Sequence, residues 1–355
     1  MRQLYNFFMF GPAADADALY IKLTEESAHV KCFYITESDR TFQNTPKAPC
    51  LAEVLRQPRF KPYLSQIVHE VVPADELGFQ SVSSDAEGWA NVRKQIDYLY
   101  NKHKDTLEPD ALIIASDCDE LLCGEDIPAI KDAFDRDATL TRCMTPLLHI
   151  IYDYDNIAED RGYWHTSVVT RAYLDSALGG SLYRVRYDVD WPTVKTIWRY
   201  ARPKRFKGGV GREIMYWVSA AIRAACRLVR LKPPEPFASL SLYKVSPDNP
   251  TYFGWHFSYC YSDPVDLFRK LHAIQHTQHR DLSLIPYQID ILRQNRGPTA
   301  PGQPLKPVCK PWPLTAEHFP KELVENPDAY LTRFREKIQE LTPEKVLQEL
   351  QARSW

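Results

Sequence analysis

Much that would classify this chain at once is missing from it. Its 355 residues include eight cysteines, and no two form a C-x-x-C pair. That argues against a zinc ribbon or thioredoxin-type redox chemistry. No N-x-S/T glycosylation acceptor with a permitted middle residue occurs. No run approaches the roughly 18 apolar residues of a membrane-spanning helix. Residues 4–10 are apolar, but the stretch is too short and aromatic for a signal-peptide core, and acidic residues soon follow it. These absences favour reduced thiols and a cytoplasmic location. An excess of one charge is missing too. The 44 basic and 46 acidic side chains sum to −2, which excludes a protein that coats nucleic acid along its length. No internal repeat is present.

What remains is an ordinary globular balance, with 25% charged and 44% hydrophobic residues. A chain this long can bury about three quarters of its unfolded surface without a disulfide or structural metal. The first third alternates two patterns. Residues 4–10, 31–37, 66–72 and 111–115 read as strands; residues 15–29 and 86–104 read as amphipathic helices. Such alternation predicts an α/β fold with a mixed, mostly parallel sheet. Ligands of open sheets bind beyond the carboxyl ends of the strands.

The segment 111–115, ALIIA, is almost wholly apolar and so is expected at the sheet's centre. Ser116-Asp117-Cys118-Asp119-Glu120 follows it. Two carboxylates spaced i, i+2 there can offer hard oxygen ligands to Mg²⁺ or Mn²⁺, with positions left for substrate phosphates. An ion held this way neutralises a departing diphosphate.

Three blocks resemble glycosyltransferase family 17, the family of the bisecting N-acetylglucosaminyltransferase of N-glycan processing. They are FYITESDRTFQNTPKAP (33–49), ALIIASDCDEL (111–121) and FGWHFSYCYSDPVDLFRKLHAIQHT (253–277). A weaker echo is FPKELVENPDAY (319–330). The helix before the D-x-D strand keeps the family's Trp89 and Asn91, and Asp17 matches an N-terminal acidic position.

The resemblance implies a nucleotide-sugar domain of GT-A type over residues 1–297, and inverting, metal-dependent sugar transfer. The implied donor is UDP-N-acetylglucosamine or another UDP-sugar; the acceptor is a glycan or lipid-linked saccharide. Asp117, Asp119 and His256 would be the metal-binding set. Glu37, Ser38, Arg93, Asp117, Trp255 and His276 would line the nucleotide-sugar site. A nucleotidyltransferase acting on sugar phosphates and a catalytically silent carbohydrate-binding protein are the alternatives. The glycine-rich, lysine-bearing phosphate loop of the former is absent after Phe10.

An inverting displacement also needs a carboxylate base beside the acceptor hydroxyl. Asp153, Asp155, Asp188, Asp190, Glu213 and Glu120 are available, and Glu213 and Asp190 are the two selected. Tyr152, Tyr154, Trp164, Trp191, Trp198, Trp255, Tyr259 and Tyr261 could stack on sugars or fill the core. His272, His276 and His279 have the spacing of one helical face.

Residues 195–232 carry eleven basic side chains against Glu213 alone. The −2 total therefore conceals a +10 segment and a −12 remainder. Within it, a basic amphipathic helix could lie on an anionic membrane. Residues 298–355 read as a proline-rich wrap followed by a helical tail that restarts at Thr342-Pro343-Glu344.

Overall fold

The computed structural model describes residues 2–187 and 252–352, apart from positions 139, 159–162, 164, 277–280, 300, 304, 307, 312, 316–318 and 331–332. The predicted alternation is present. β1 (Leu4–Met9), α1 (Ala16–Glu26) and β2 (Cys32–Ser38) come first. Short helices α2 (Leu51–Val54) and α3 (Ala74–Leu77) flank β3 (Ile67–Val72). The long helix α4 (Asp85–His103) opens on a Ser84/Glu87 capping box and leads to β4 (Leu112–Ala115). Next are β5 (Glu120–Leu122), α5 (Ile127–Arg136), β6 (Arg142–Met144), β7 (Leu148–Ile151), β8 (Asn156–Ile157) and β9 (Ser167–Thr170). Helices α6 (Arg171–Leu178) and α7 (Leu182–Tyr187) close this half.

The first sheet has the order β3-β2-β1-β4-β9-β6. Its first four strands are parallel, and β9 runs against both β4 and β6. β1 shows why its sequence is nearly all apolar: both faces are covered. Leu4 and Phe8 pack with Leu19 and Leu23 of α1. Tyr5, Phe7 and Met9 point the other way, into Val92, Ile96 and Leu99 of α4. From β1 the chain first builds β2 and β3 on one side, then returns to add β4 on the other. The direction reverses between β1 and β4, and a crevice opens there at their carboxyl ends.

A second sheet, in the order β11-β8-β7-β10-β5, was not foreseen as a separate layer. It uses β10 (Gly254–Ser258) and β11 (Lys310–Pro311). β5 has only three residues, too few to show a period in sequence. It becomes a strand because β10 pairs antiparallel with it and parallel with β7.

Helices α8 (Pro264–Ala273) and α9 (Ile285–Arg293) follow β10. Then come α10 (Lys321–Glu325), α11 (Pro327–Tyr330), α12 (Phe334–Glu340) and α13 (Pro343–Ala352). The tail is therefore two helices, with Pro343 opening the second. Phe334, Ile338, Val346 and Leu350 bury against Val265, Phe268 and Leu271 of α8. The docking is completed by Asp153, which accepts hydrogen bonds from the backbone N–H of Phe334 and Arg335, and by the Arg335–Asp155 ion pair.

Helix α8 stops at Ala273, so the expected shared face of His272, His276 and His279 does not form. His276 lies beyond the helix end, and His279 is outside the described residues. The seven described cysteines are free thiols. No helix among the described residues is long and apolar enough to cross a membrane.

Candidate active site

Asp117 and Asp119 leave β4 at the crevice and are drawn in opposite directions. Arg186 of α7, with 0% of its side chain exposed, places Nη2 2.5 Å from Asp117 Oδ2. The same guanidinium grips both oxygens of Glu120, at 2.9 and 2.8 Å. Glu120 also accepts from Thr166 Oγ1 at 2.5 Å and from the Asp117 backbone N–H at 3.0 Å. Burial alone would raise the Glu120 pKa, but Arg186 and His256 outweigh it and hold this carboxyl well below its ordinary range. Burial pushes Asp117 upward, only partly offset by Arg186, and Glu120 and Asp119 add to the rise.

Asp119 meets the other cation. Pro264 begins α8 and Asp263 caps it, which directs Lys270 back toward the crevice. Lys270 Nζ lies 3.0 Å from Asp119 Oδ2 and 3.4 Å from Asp15 Oδ1. Tyr261 donates to the same Asp15 oxygen at 2.8 Å. Burial favours neutral Asp119, yet Lys270 and His256 keep its pKa below the ordinary value. Asp15 is raised, chiefly by burial.

His256 is set by strand register. It stands opposite Glu120 in β5 and beside His149 in β7. The Phe257 N–H donates to the Asp119 carbonyl at 2.8 Å, so β10 is fastened to the D-x-D backbone itself. His256 Nε2 lies 3.8 Å from Asp119 Oδ1. Its ring stacks on His149 with 4.9 Å between centroids, and Ser258 Oγ bridges the two imidazoles at 2.9 and 3.0 Å. Burial lowers the His256 pKa, which favours the neutral ring.

Gly254 permits this close pairing. A Cβ there would sit 1.9 Å from the Leu121 carbonyl oxygen. Gly254→Ala is therefore expected to lift β10 off β5 and separate His256 from Asp119. A crystal structure of the variant should show the Phe257–Asp119 hydrogen bond lengthened or lost; an unmoved bond would refute this account.

Beneath the turn lies a second, fully buried ion pair, Lys22–Glu26 of α1. Lys22 Nζ donates to the Glu120 carbonyl at 2.5 Å and to Ser116 Oγ at 3.1 Å. Glu26 accepts from the Leu122 N–H at 2.8 Å and from Asn6 Nδ2 at 2.6 Å. Both flanks of the D-x-D are thus tied to one helix.

The other sequence-derived residues are distributed unevenly. Ser38 is buried at the carboxyl end of β2. Glu37, beside it, accepts from the N–H groups of Cys50 and Leu51 and lies 3.0 Å from His69 Nε2, which pins the loop before α2. Burial opposes its ionisation, but those hydrogen bonds prevail and lower its pKa. Arg93 is 56% exposed, pairs with Asp97 and lies over the Tyr183 ring at 6.0 Å from its centroid. Trp255 is buried with Leu121, Ile150 and Tyr154 in the core. His276 sits 3.1 Å from Asp85 at the start of α4.

Asp17 is not the site's N-terminal acid. It pairs with Arg59 at 2.7 Å, half-buried, whereas Asp15 enters the crevice. Asp153 and Asp155 hold the tail, and Glu120 is saturated by four hydrogen bonds from Arg186, Thr166 and the Asp117 N–H. Tyr152, Tyr154 and Tyr261 are core residues. Asp188, Asp190, Glu213, Trp164, Trp191, Trp198 and the basic segment 195–232 lie outside the described residues. Sequence reasoning missed Asp15, Lys22, Arg186 and Lys270 as site residues. Only Lys270 carried a signal, since it falls inside the third family-like block.

Residues 2–176 match the family model described as Glycosyltransferase family 17. This part of the chain belongs to that family. No curated protein matches the chain. The family 17 domain runs from β1 into α6 and contains the D-x-D turn, and it makes the protein a glycosyltransferase. Arg186, His256 and Lys270 come from outside the matched segment, so the candidate site draws on both parts of the chain.

Proposed function

We propose that the enzyme is an inverting transferase of GT-A type that moves a sugar from a nucleotide donor, with a UDP-sugar as the first candidate, onto a saccharide hydroxyl with a divalent cation as cofactor. The observation that carries this reading is the D-x-D pair at the crevice between β1 and β4, joined there by His256. The donor chemistry suits Mn²⁺ or Mg²⁺: two carboxylates and an imidazole that burial favours as neutral. Among the described residues no three His, Cys, Asp or Glu side chains converge as a ready-made cage. Substrate phosphates would have to complete the coordination. Charge points the same way. Among the described residues, the lysine and arginine paired with Asp15, Asp117, Asp119 and Glu120 are Lys270 and Arg186; neighbouring carboxylates help to raise Asp15 and Asp117, a repulsion that a divalent ion would relieve.

Asp117, Asp119 and His256 would hold the ion, which when bound would neutralise charge on the departing diphosphate. Burial disfavours charge on Lys270, but Asp119 and Asp15 keep its ammonium protonated, so Lys270 adds a fixed positive charge beside the leaving group. The acceptor hydroxyl attacks the anomeric carbon from the opposite side and gives its proton to a carboxylate, for which Asp190 and Glu213 are the candidates.

The test is thermal stabilisation by UDP, GDP and dTDP with Mn²⁺ and with EDTA. A UDP shift that needs Mn²⁺ is expected. Stabilisation by nucleoside triphosphates alone would favour a nucleotidyltransferase instead.

A further inference from the structure

Beside the carboxylates lies a row of aromatic rings that the transfer chemistry does not use. Trp89 of α4 packs edge-on against Tyr187 of α7 at 4.7 Å and against His276 at 5.6 Å. Tyr183 lies 4.9 Å from Tyr187. All four rings are half-buried rather than sealed in the core. The row abuts the site directly. The Arg186 guanidinium, bonded to Asp117, covers the Tyr187 ring at 5.2 Å from its centroid. At the far end the Asp85 carboxylate stands 3.1 Å from His276. The backbone holds this arrangement tightly: a Cβ on Gly88 would meet the Gln275 carbonyl at 2.5 Å, so the chain before His276 lies directly on α4.

Half-exposed aromatic faces rimmed by a carboxylate and an imidazole match one ligand chemistry well. A pyranose offers an apolar C–H face to a ring and hydroxyls to the polar rim. The row also lies in the α4–α7 layer, across the sheet from α1. We propose that Trp89, Tyr183, Tyr187 and His276 form a platform on which a pyranose ring stacks next to Asp117. The proposal rests on the glycosyltransferase reading above and deepens it. The ring is either the donor's sugar or the acceptor's.

The experiment compares wild type with Trp89→Ala. Calorimetry with Mn²⁺ gives Kd for UDP and for UDP-N-acetylglucosamine, and saturation-transfer NMR reads contact with free glucose, galactose, mannose and N-acetylglucosamine. An unchanged melting temperature and circular dichroism spectrum of each variant serve as the folding control. If the platform holds the donor sugar, Trp89→Ala weakens UDP-N-acetylglucosamine about tenfold and leaves UDP unchanged. If it holds the acceptor, both nucleotide affinities stay and the free-sugar signal disappears. Tyr183→Ala, which spares the ring next to Arg186, should repeat the pattern more weakly. Equal weakening of UDP and its sugar would assign the row to the nucleobase and overturn the proposal. No change in any readout would overturn it as well. A Trp89-dependent sugar signal in a protein that binds no nucleotide would refute the transferase reading while leaving the platform intact.

Discussion

Arg186→Met is expected to destabilise the fold by about 3–5 kcal/mol, the usual consequence of removing one partner from a buried ion pair. The guanidinium is fully buried and is the cation bonded to both Asp117 and Glu120. Without it, burial would push Glu120 upward instead of leaving it depressed. The pH dependence should then invert. In the wild type a depressed Glu120 contributes stability above the ordinary carboxylate range, and that contribution is lost as pH falls through its folded pKa. In the variant the raised carboxyl should regain stability as pH falls. Urea unfolding at several pH values checks both statements. Adding Glu120→Gln to the variant should recover part of the loss at neutral pH. A single variant with an unchanged urea midpoint would show that Arg186 is not the keystone of this cluster.

Asp119→Ala should act on turnover rather than on folding. Transition-state charge stabilisation at a single group is commonly worth about 10²–10³ in kcat, and Asp119 is the carboxylate that His256 and Lys270 both approach. The fold should survive because Lys270 retains Asp15 at 3.4 Å and its cation–π contact with Tyr261. The expected result is loss of sugar transfer or donor hydrolysis with the melting temperature moved by only a few degrees. Substantial turnover in a folded Asp119→Ala protein would remove this residue from the mechanism.

The parts visible in sequence were those written in local periodicity. ALIIA announced a strand buried on both faces, and the residues after it announced the carboxylates. The charge partners were not visible, for a physical reason. Lys22 sits in a helix where a lysine ordinarily faces water, and only the folded sheet shows Ser116 and the Glu120 carbonyl waiting for it. Arg186 reads as one basic residue among several. Asp17 matches the family position, but it is Asp15 that enters the crevice: the two differ by about half a turn of helix, which places Asp17 at Arg59 and Asp15 beside Lys270. Trp255 belonged to the most specific family-like block, yet its register in β10 sends it to the core and its neighbour His256 to the site.

The pairing of β10 with β5 also orders events in time. Lys270 lies 151 residues after the Asp119 carboxylate it meets. At synthesis rates of roughly 5–20 residues per second, that is on the order of ten to thirty seconds of translation. Throughout that interval the first sheet can form, but the D-x-D turn has neither its imidazole nor its ammonium. The nascent domain therefore passes through a stage in which Asp119 and Asp15 still lack the ammonium of Lys270. The candidate site is complete only once β10 has paired with β5 and β7.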